Sequence, residues 1–224
     1  TLRLVKNMAD RMAHEIGNAL VPLSTHQQLL ADKYKDPEFR ASLDNALAEG
    51  VKRISRLTTQ MRFLARDSLA TPETLPLNQL IEESFAEAKK HYPSKSAKLK
   101  QDASELVVLS GDHVALRHAM AEVMLNALQA NPAESIVEVS STTDSDISGM
   151  RWVHIDVHDR GGGFPAENLS RLPQPFFTTR NVGLGLGLTV SQKIIESHRG
   201  KLMLGKNGNG HEGVVRISLP LGPK

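Results

Sequence analysis

A chain of 224 residues, 40% hydrophobic and 23% charged, has the composition of a globular protein, with length for one large domain or two smaller ones that each bury a core. Its 27 basic and 25 acidic residues nearly balance and only 4% of residues are aromatic, so neither charge nor base stacking argues for nucleic acid or an anionic membrane as the main partner. Cysteine is absent, which excludes disulfides, thiolate metal sites and cysteine nucleophiles and agrees with a cytoplasmic setting.

From Thr1 to about Lys33, Val5, Met8, Met12, Ile16, Ala19, Leu23 and Leu30 keep a spacing of three or four, the mark of an amphipathic helix. Tyr34-Lys35-Asp36-Pro37 interrupts it, and Leu43, Leu47, Gly50, Ile54, Leu57, Met61 and Leu64 then follow a heptad seam. Residues 1–68 therefore read as a helical hairpin, and hairpins of this kind cover their remaining apolar stripe by dimerising into a four-helix bundle. Residues 69–76, with two prolines, read as a linker, and 77–224 as a second domain. In that domain helices are expected at 78–91, 112–130 and 188–198, and strands at 105–109, 136–141, 152–157, 201–204 and 214–219. Ser140 to Ser148 reads as a polar turn, and helices on one face of a mostly antiparallel sheet make an α/β sandwich. No run approaches the roughly 18 apolar residues needed to span a bilayer, and no signal peptide is apparent. A start without Met suggests a longer protein, with sensor or membrane segments outside this chain.

Within Arg11-Met12-Ala13-His14-Glu15-Ile16-Gly17-Asn18 the histidine stands almost opposite the apolar stripe, and Asn18 lies within about 40° of it on the helical wheel. That polar face argues against a core histidine. Position 18 is asparagine where a zinc helix needs a second histidine, and Val215 fails the same test for His211-Glu212. A solvated histidine and a reacting one stay open on these residues alone. Glu122 and Asn126 sit one turn apart on the helix expected over 112–130, oxygen ligands that suit Mg²⁺ shared with a phosphate, or an ordinary solvated pair. Gly183-Leu184-Gly185-Leu186-Gly187-Leu188 opens a helix and is either a phosphate cradle or a flexible turn; the Walker lysine is missing.

Read in order, His14-Glu15-x-x-Asn18, Asn126-Ala127, Asp159-x-Gly161-x-Gly163, Pro175-Phe176-Phe177-Thr178-Thr179 and Gly183-x-Gly185-x-Gly187-Leu188 resemble the motif series of sensor histidine kinases of two-component systems, over nearly the whole chain. The resemblance implies an α+β protein of two domains: a dimerisation and phosphotransfer hairpin, then an ATP-binding domain of the Bergerat fold shared with gyrase. It implies ATP and Mg²⁺ as substrate and cofactor, a homodimer, a response-regulator receiver domain as partner, and no direct nucleic-acid role. His14 is then the phosphoacceptor. A neutral imidazole has a free lone pair and is nucleophilic without drastic tuning. Glu15 is expected to bond the other ring nitrogen and take up its proton. Asn18 is expected to position a water against the phosphorylated regulator, a secondary phosphatase activity.

By the same resemblance Asp159 accepts the adenine amino group, Asn126 holds Mg²⁺, and Gly161 and Gly163 let the backbone approach the nucleotide. Gly183, Gly185 and Gly187 shape the lid end and the phosphate cradle, Phe176 and Phe177 anchor the lid, and Phe177, Thr178, Leu188 and Glu122 count among the nucleotide-binding residues. Regulator specificity falls around Gln28 and Asp32. Departures are informative: Ala19 stands where the family commonly has proline, and Pro22 is similar to the nitrogen-sensor subtype. Glu122 matches the general base of gyrase-type ATPases, which keeps direct ATP hydrolysis as an alternative beside a non-enzymatic phosphotransfer scaffold.

Overall fold

The computed structural model describes residues 2–66, 71–92, 96–103, 106–130, 135–159, 186–206 and 213–222. They fall into two compact units, the first reaching Ala65 and the second beginning at Arg66.

The first unit is a helical hairpin, α1 (Leu2–Lys33) and α2 (Pro37–Ala65). Asp36 sets where α2 starts: its Oδ1 accepts the Glu38 N–H at 2.9 Å and its carbonyl accepts the Arg40 N–H at 3.1 Å. This is an N-cap followed by proline at the first helical position, where the missing N–H costs nothing. The helices pack closely at Gly50, where an added Cβ would lie 3.1 Å from Leu23 Cδ1 and 3.4 Å from the Ala19 carbonyl oxygen. Nearer the turn, His26 Nε2 meets Ser42 Oγ at 2.9 Å and its ring lies 5.4 Å from that of Phe39. Ala19 and Leu57 are buried as their stripes require, yet Ile16, Leu30, Leu47 and Met61 of the same stripes stay exposed in the single chain, between 38% and 46%.

The second unit runs β1 (Glu73–Pro76), α3 (Leu77–Lys90), β2 (Lys98–Ala103), β3 (Val108–Gly111), α4 (His113–Ala130), β4 (Ile136–Ser145), β5 (Arg151–His158), α5 (Gly187–Ser197), β6 (Lys201–Lys206) and β7 (Gly213–Gly222). Five strands form one sheet in the order β2-β4-β5-β7-β6, and β1 pairs with β3 in a separate ribbon. Every pairing is antiparallel except β2 with β4. Val137, Val139, Val153, Ile155, Val157, Val215, Ile217 and Leu219 make one buried sheet face, matched by Ile81 of α3, Met120 and Met124 of α4 and Ile195 of α5. The alternate residues carry polar pairs: Arg216 grips Asp156 through Nε at 2.7 Å and Nη2 at 2.6 Å, His154 bridges Asp144 and Ser218, and Lys100 meets Glu138 at 3.2 Å. No helix among the described residues is long and apolar enough to cross a membrane.

Two segments differ from the sequence expectation. Residues 73–76, expected in the linker, are strand β1, which buries Leu75 against β3. The supposed turn over Ser140–Ser148 is strand as far as Ser145, because Thr142 and Asp144 are the outward residues of a ladder opposite His154 and Trp152. The true turn is organised by Asp146, whose carboxylate accepts from Ser148 Oγ, Trp152 Nε1 and the Met150 and Ser148 amides. Those bonds, the Ser148 hydroxyl foremost, lower its pKa to about 2.

Helix α5 ends at His198, followed by Arg199 at φ 61, with the Gly200 N–H returning to the Ile195 carbonyl at 2.8 Å. A left-handed position is normally glycine's, since a Cβ there crowds the next carbonyl. Arg199→Gly is therefore expected to stabilise the chain by about 0.5–1 kcal/mol, read as a rise in urea midpoint with unchanged slope. Gly200 itself has no such freedom, because an added Cβ would lie 2.5 Å from the Ser218 carbonyl oxygen.

Candidate functional site

On α1, His14 and Asn18 are both exposed, and Asn18 Nδ2 stands 3.1 Å from His14 Nδ1. The i to i+4 spacing that puts them on one face is what brings them together. The group on Nδ1 is thus Asn18, and Glu15, the next residue, is half-buried. The amide orientation and the tautomer go together. With Nδ2 against the ring, Nδ1 accepts and Nε2 carries the proton; with the amide turned over, Oδ1 takes the Nδ1 proton and Nε2 presents a lone pair to solvent. Pro22 lies inside α1, so the Asn18 carbonyl, four residues before it, lacks its usual helical donor.

The second cluster lies in the second unit. Helix α4 carries Glu122, 3% exposed, and one turn on the half-buried Asn126. At the end of β5, Asp159 is 6% exposed and its N–H donates to the Gly213 carbonyl at 3.0 Å. Its carboxylate fills the room left by glycine at 213, where an added Cβ would overlap it. Gly187 and Leu188 form the first turn of α5, whose N-cap Leu186 offers no side-chain cap to the helix-start amides.

Two ties fix how α5 lies along α4. The buried Ser191 hydroxyl reaches the Ala119 carbonyl at 2.9 Å and the Gly187 carbonyl at 3.0 Å, and the Asp112 N–H donates to His198 Nε2 at 2.9 Å. The tied positions are about two turns apart on each helix, which makes the helices antiparallel and in step. One turn further along, the start of α5 comes level with Glu122, and Asn126 lies beyond it. A carboxylate, a carboxamide and a helix N-terminus thereby come to one end of α4, a donor set whose chemistry would suit Mg²⁺ shared with phosphate. Asn126 and Glu122 are the side chains that would hold it. Among the described residues no group of three or more His, Asp or Glu could hold a metal unaided.

Gly161, Gly163, Phe176, Phe177, Thr178, Gly183 and Gly185, singled out from the sequence, lie outside the described residues. Sequence reading missed Gly213, Ser191, Asp112 and His198. Only Asp112, a helix-capping residue type directly before a helical pattern, carried a local signal.

A two-layer α/β unit with a buried carboxylate at a strand end, and a helix start level with Glu122 of a largely apolar helix, is the architecture of a nucleotide-binding ATPase domain. Residues 111–223 match the family profile described as histidine kinase-, DNA gyrase B- and HSP90-like ATPase. The chain belongs to that family. It is also similar along its length to curated proteins: 25% identical over 222 residues to sporulation kinase C of Bacillus subtilis, covering 98% of this chain and 50% of the relative. Sensor protein FixL of Bradyrhizobium diazoefficiens is 29% identical over 98% of this chain and 44% of its own length, and sensor histidine kinase ZraS of Salmonella typhimurium 29% identical over 96% and 45%. The chain thus spans about half the length of these relatives or slightly less. Among solved structures, histidine kinase AdeS of Acinetobacter baumannii superposes with a TM-score of 0.68 at 19% identity, covering 93% of this chain and 98% of that one, a likeness of fold.

Proposed function

We propose that the chain is the core of an ATP-dependent protein-histidine autokinase that phosphorylates His14 and passes the group to an aspartate of a response regulator. The observation that carries this reading is an exposed histidine, held at one ring nitrogen by Asn18, in the same chain as an ATPase-family nucleotide site. With Asn18 on Nδ1, Nε2 is the outward atom. Its lone pair forms the new P–N bond while the bond between the β- and γ-phosphoryl groups breaks and ADP leaves. Glu15, the residue after His14, takes the ring proton as positive charge develops. Asp159 orients adenine, and the start of α5 receives the phosphates. Mg²⁺, when bound through Asn126, supplies charge neutralisation to the triphosphate.

The exposed stripe residues Ile16, Leu30, Leu47 and Met61 support a homodimer joined through the hairpins. The test is incubation with γ-labelled ATP and Mg²⁺: acid-labile, alkali-stable label transferable to a receiver domain is expected, and chemically different label or none would overturn the reading. Asn18 further supports a phosphatase role toward the regulator. Asn18→Ala is expected to slow regulator dephosphorylation at least about tenfold, and an unchanged rate would remove that role.

A second reading is favoured by one observation, the burial of Glu122 beside the phosphate end of the site. There it can take a proton from water attacking ATP, as a general base contributing about 10²–10⁴-fold. Glu122→Gln is expected to lower steady ATP turnover while leaving some labelling of His14; equal turnover in variant and parent would exclude it.

A further inference from the structure

The nucleotide site described above uses one end of α4 and the opposite end of α5, and a buried carboxylate, Asp112, joins the two helices at their far ends. Asp112, 3% exposed, precedes α4. Its Oδ1 caps the helix by accepting the Ala115 N–H at 3.0 Å, and its carbonyl accepts the Leu116 N–H at 2.9 Å. Its own N–H is seated on His198 Nε2 at the end of α5. His198 Nδ1 lies 2.7 Å from the Ile194 carbonyl, which fixes the ring as the neutral Nδ1–H tautomer and holds it to α5. The approach is close: an added Cβ on Gly111 would lie 2.7 Å from His198 Cδ2. Finally, Asp112 Oδ2 receives Arg66 Nη1 at 3.1 Å, and Arg66 is the first residue after α2.

We propose that Asp112 is a positioning residue for the phosphate end of the nucleotide site, and that Arg66 sets it. The inference rests on the ATP-site reading above. One carboxylate with its own amide touches the start of α4, the end of α5 and the chain leaving α2, so a change in the direction of that chain reaches both helices at one point. From Asp112 to Asn126 is about 21 Å along α4 at 1.5 Å per residue, so neither Asp112 nor Arg66 touches nucleotide. What they govern is the register of α4 against α5, and with it the distance between Asn126 and the first amides of α5. The adenine contact is insulated from this, because Asp159 follows β5 and packs on β7.

The test compares binding of ATP with Mg²⁺ and of adenosine by the full chain, in the parent, Arg66→Gln, Asp112→Asn and the double variant. Asp112→Asn keeps a capping oxygen and the backbone N–H to His198 and removes the charge that Arg66 meets. Each single variant is expected to weaken ATP about fivefold, adenosine less than about twofold, and the double variant no more than the worse single, the non-additivity of one coupled pair. Arg66→Lys should recover most of the loss. Equal losses for ATP and adenosine would mean a general loosening of the domain and overturn the proposal, as would unchanged ATP affinity or additive losses. A parent chain that binds neither ligand removes the site reading and this inference with it. A parent that binds ATP but leaves His14 unlabelled refutes only the autokinase reading.

Discussion

Replacing His14 with glutamine is expected to remove acid-labile label from the chain, a loss of at least about 10³-fold against the parent, with ATP affinity unchanged. Phosphoryl transfer to nitrogen needs a lone pair on an accessible, neutral ring, and glutamine offers an amide nitrogen whose pair is delocalised. His14 is exposed and its observed partner is the exposed Asn18, so the substitution should cost at most about 0.5 kcal/mol of stability and the loss cannot be blamed on unfolding. Residual label would place the acceptor on another of the nine histidines, and peptide mapping would identify which.

Asp159→Ala is expected to weaken Mg²⁺-ATP by about 2–3 kcal/mol, roughly 30–150-fold in dissociation constant, measured by calorimetry. An ionised carboxylate is acceptor-only and complements the adenine amino group. It faces the guanine carbonyl with the wrong polarity. Loss of Asp159 should therefore narrow the preference for ATP over GTP as well as lower affinity, which separates lost recognition from a collapsed pocket. Retention of both affinity and selectivity in the variant would move adenine recognition elsewhere.

The parts of this molecule legible in its sequence are those written locally. The hairpin follows from two apolar stripes and an Asp36-Pro37 start signal, and α4, β5 and the β6-β7 hairpin follow from period and β-branched content. What escaped was decided by partners far away in the chain. Lys98–Ala103 is mostly charged and polar and becomes a strand because β4 offers it a parallel edge. Thr74 and Leu75, between prolines, become one because β3 does the same. Of the site, the reactive types were readable: an outward histidine with asparagine one turn on, and a carboxylate and carboxamide on one helix. Their supports were not. Ser191 meets a carbonyl 72 positions away and His198 an amide 86 positions away, and no local pattern announces either. Gly213 carries no local signal either, since what it accommodates is the Asp159 carboxylate from another strand end.

The face of the sheet turned away from its helices has a physical consequence of its own. It is knit by charge: Arg216 with Asp156, Lys100 with Glu138, and His154 with Asp144. Attractions of that kind reach about 10 Å at 0.1 M ionic strength and about 3 Å at 1 M. The two sides of one sheet therefore answer to different solvents, the helix side to whatever weakens apolar burial and the outer side to added electrolyte.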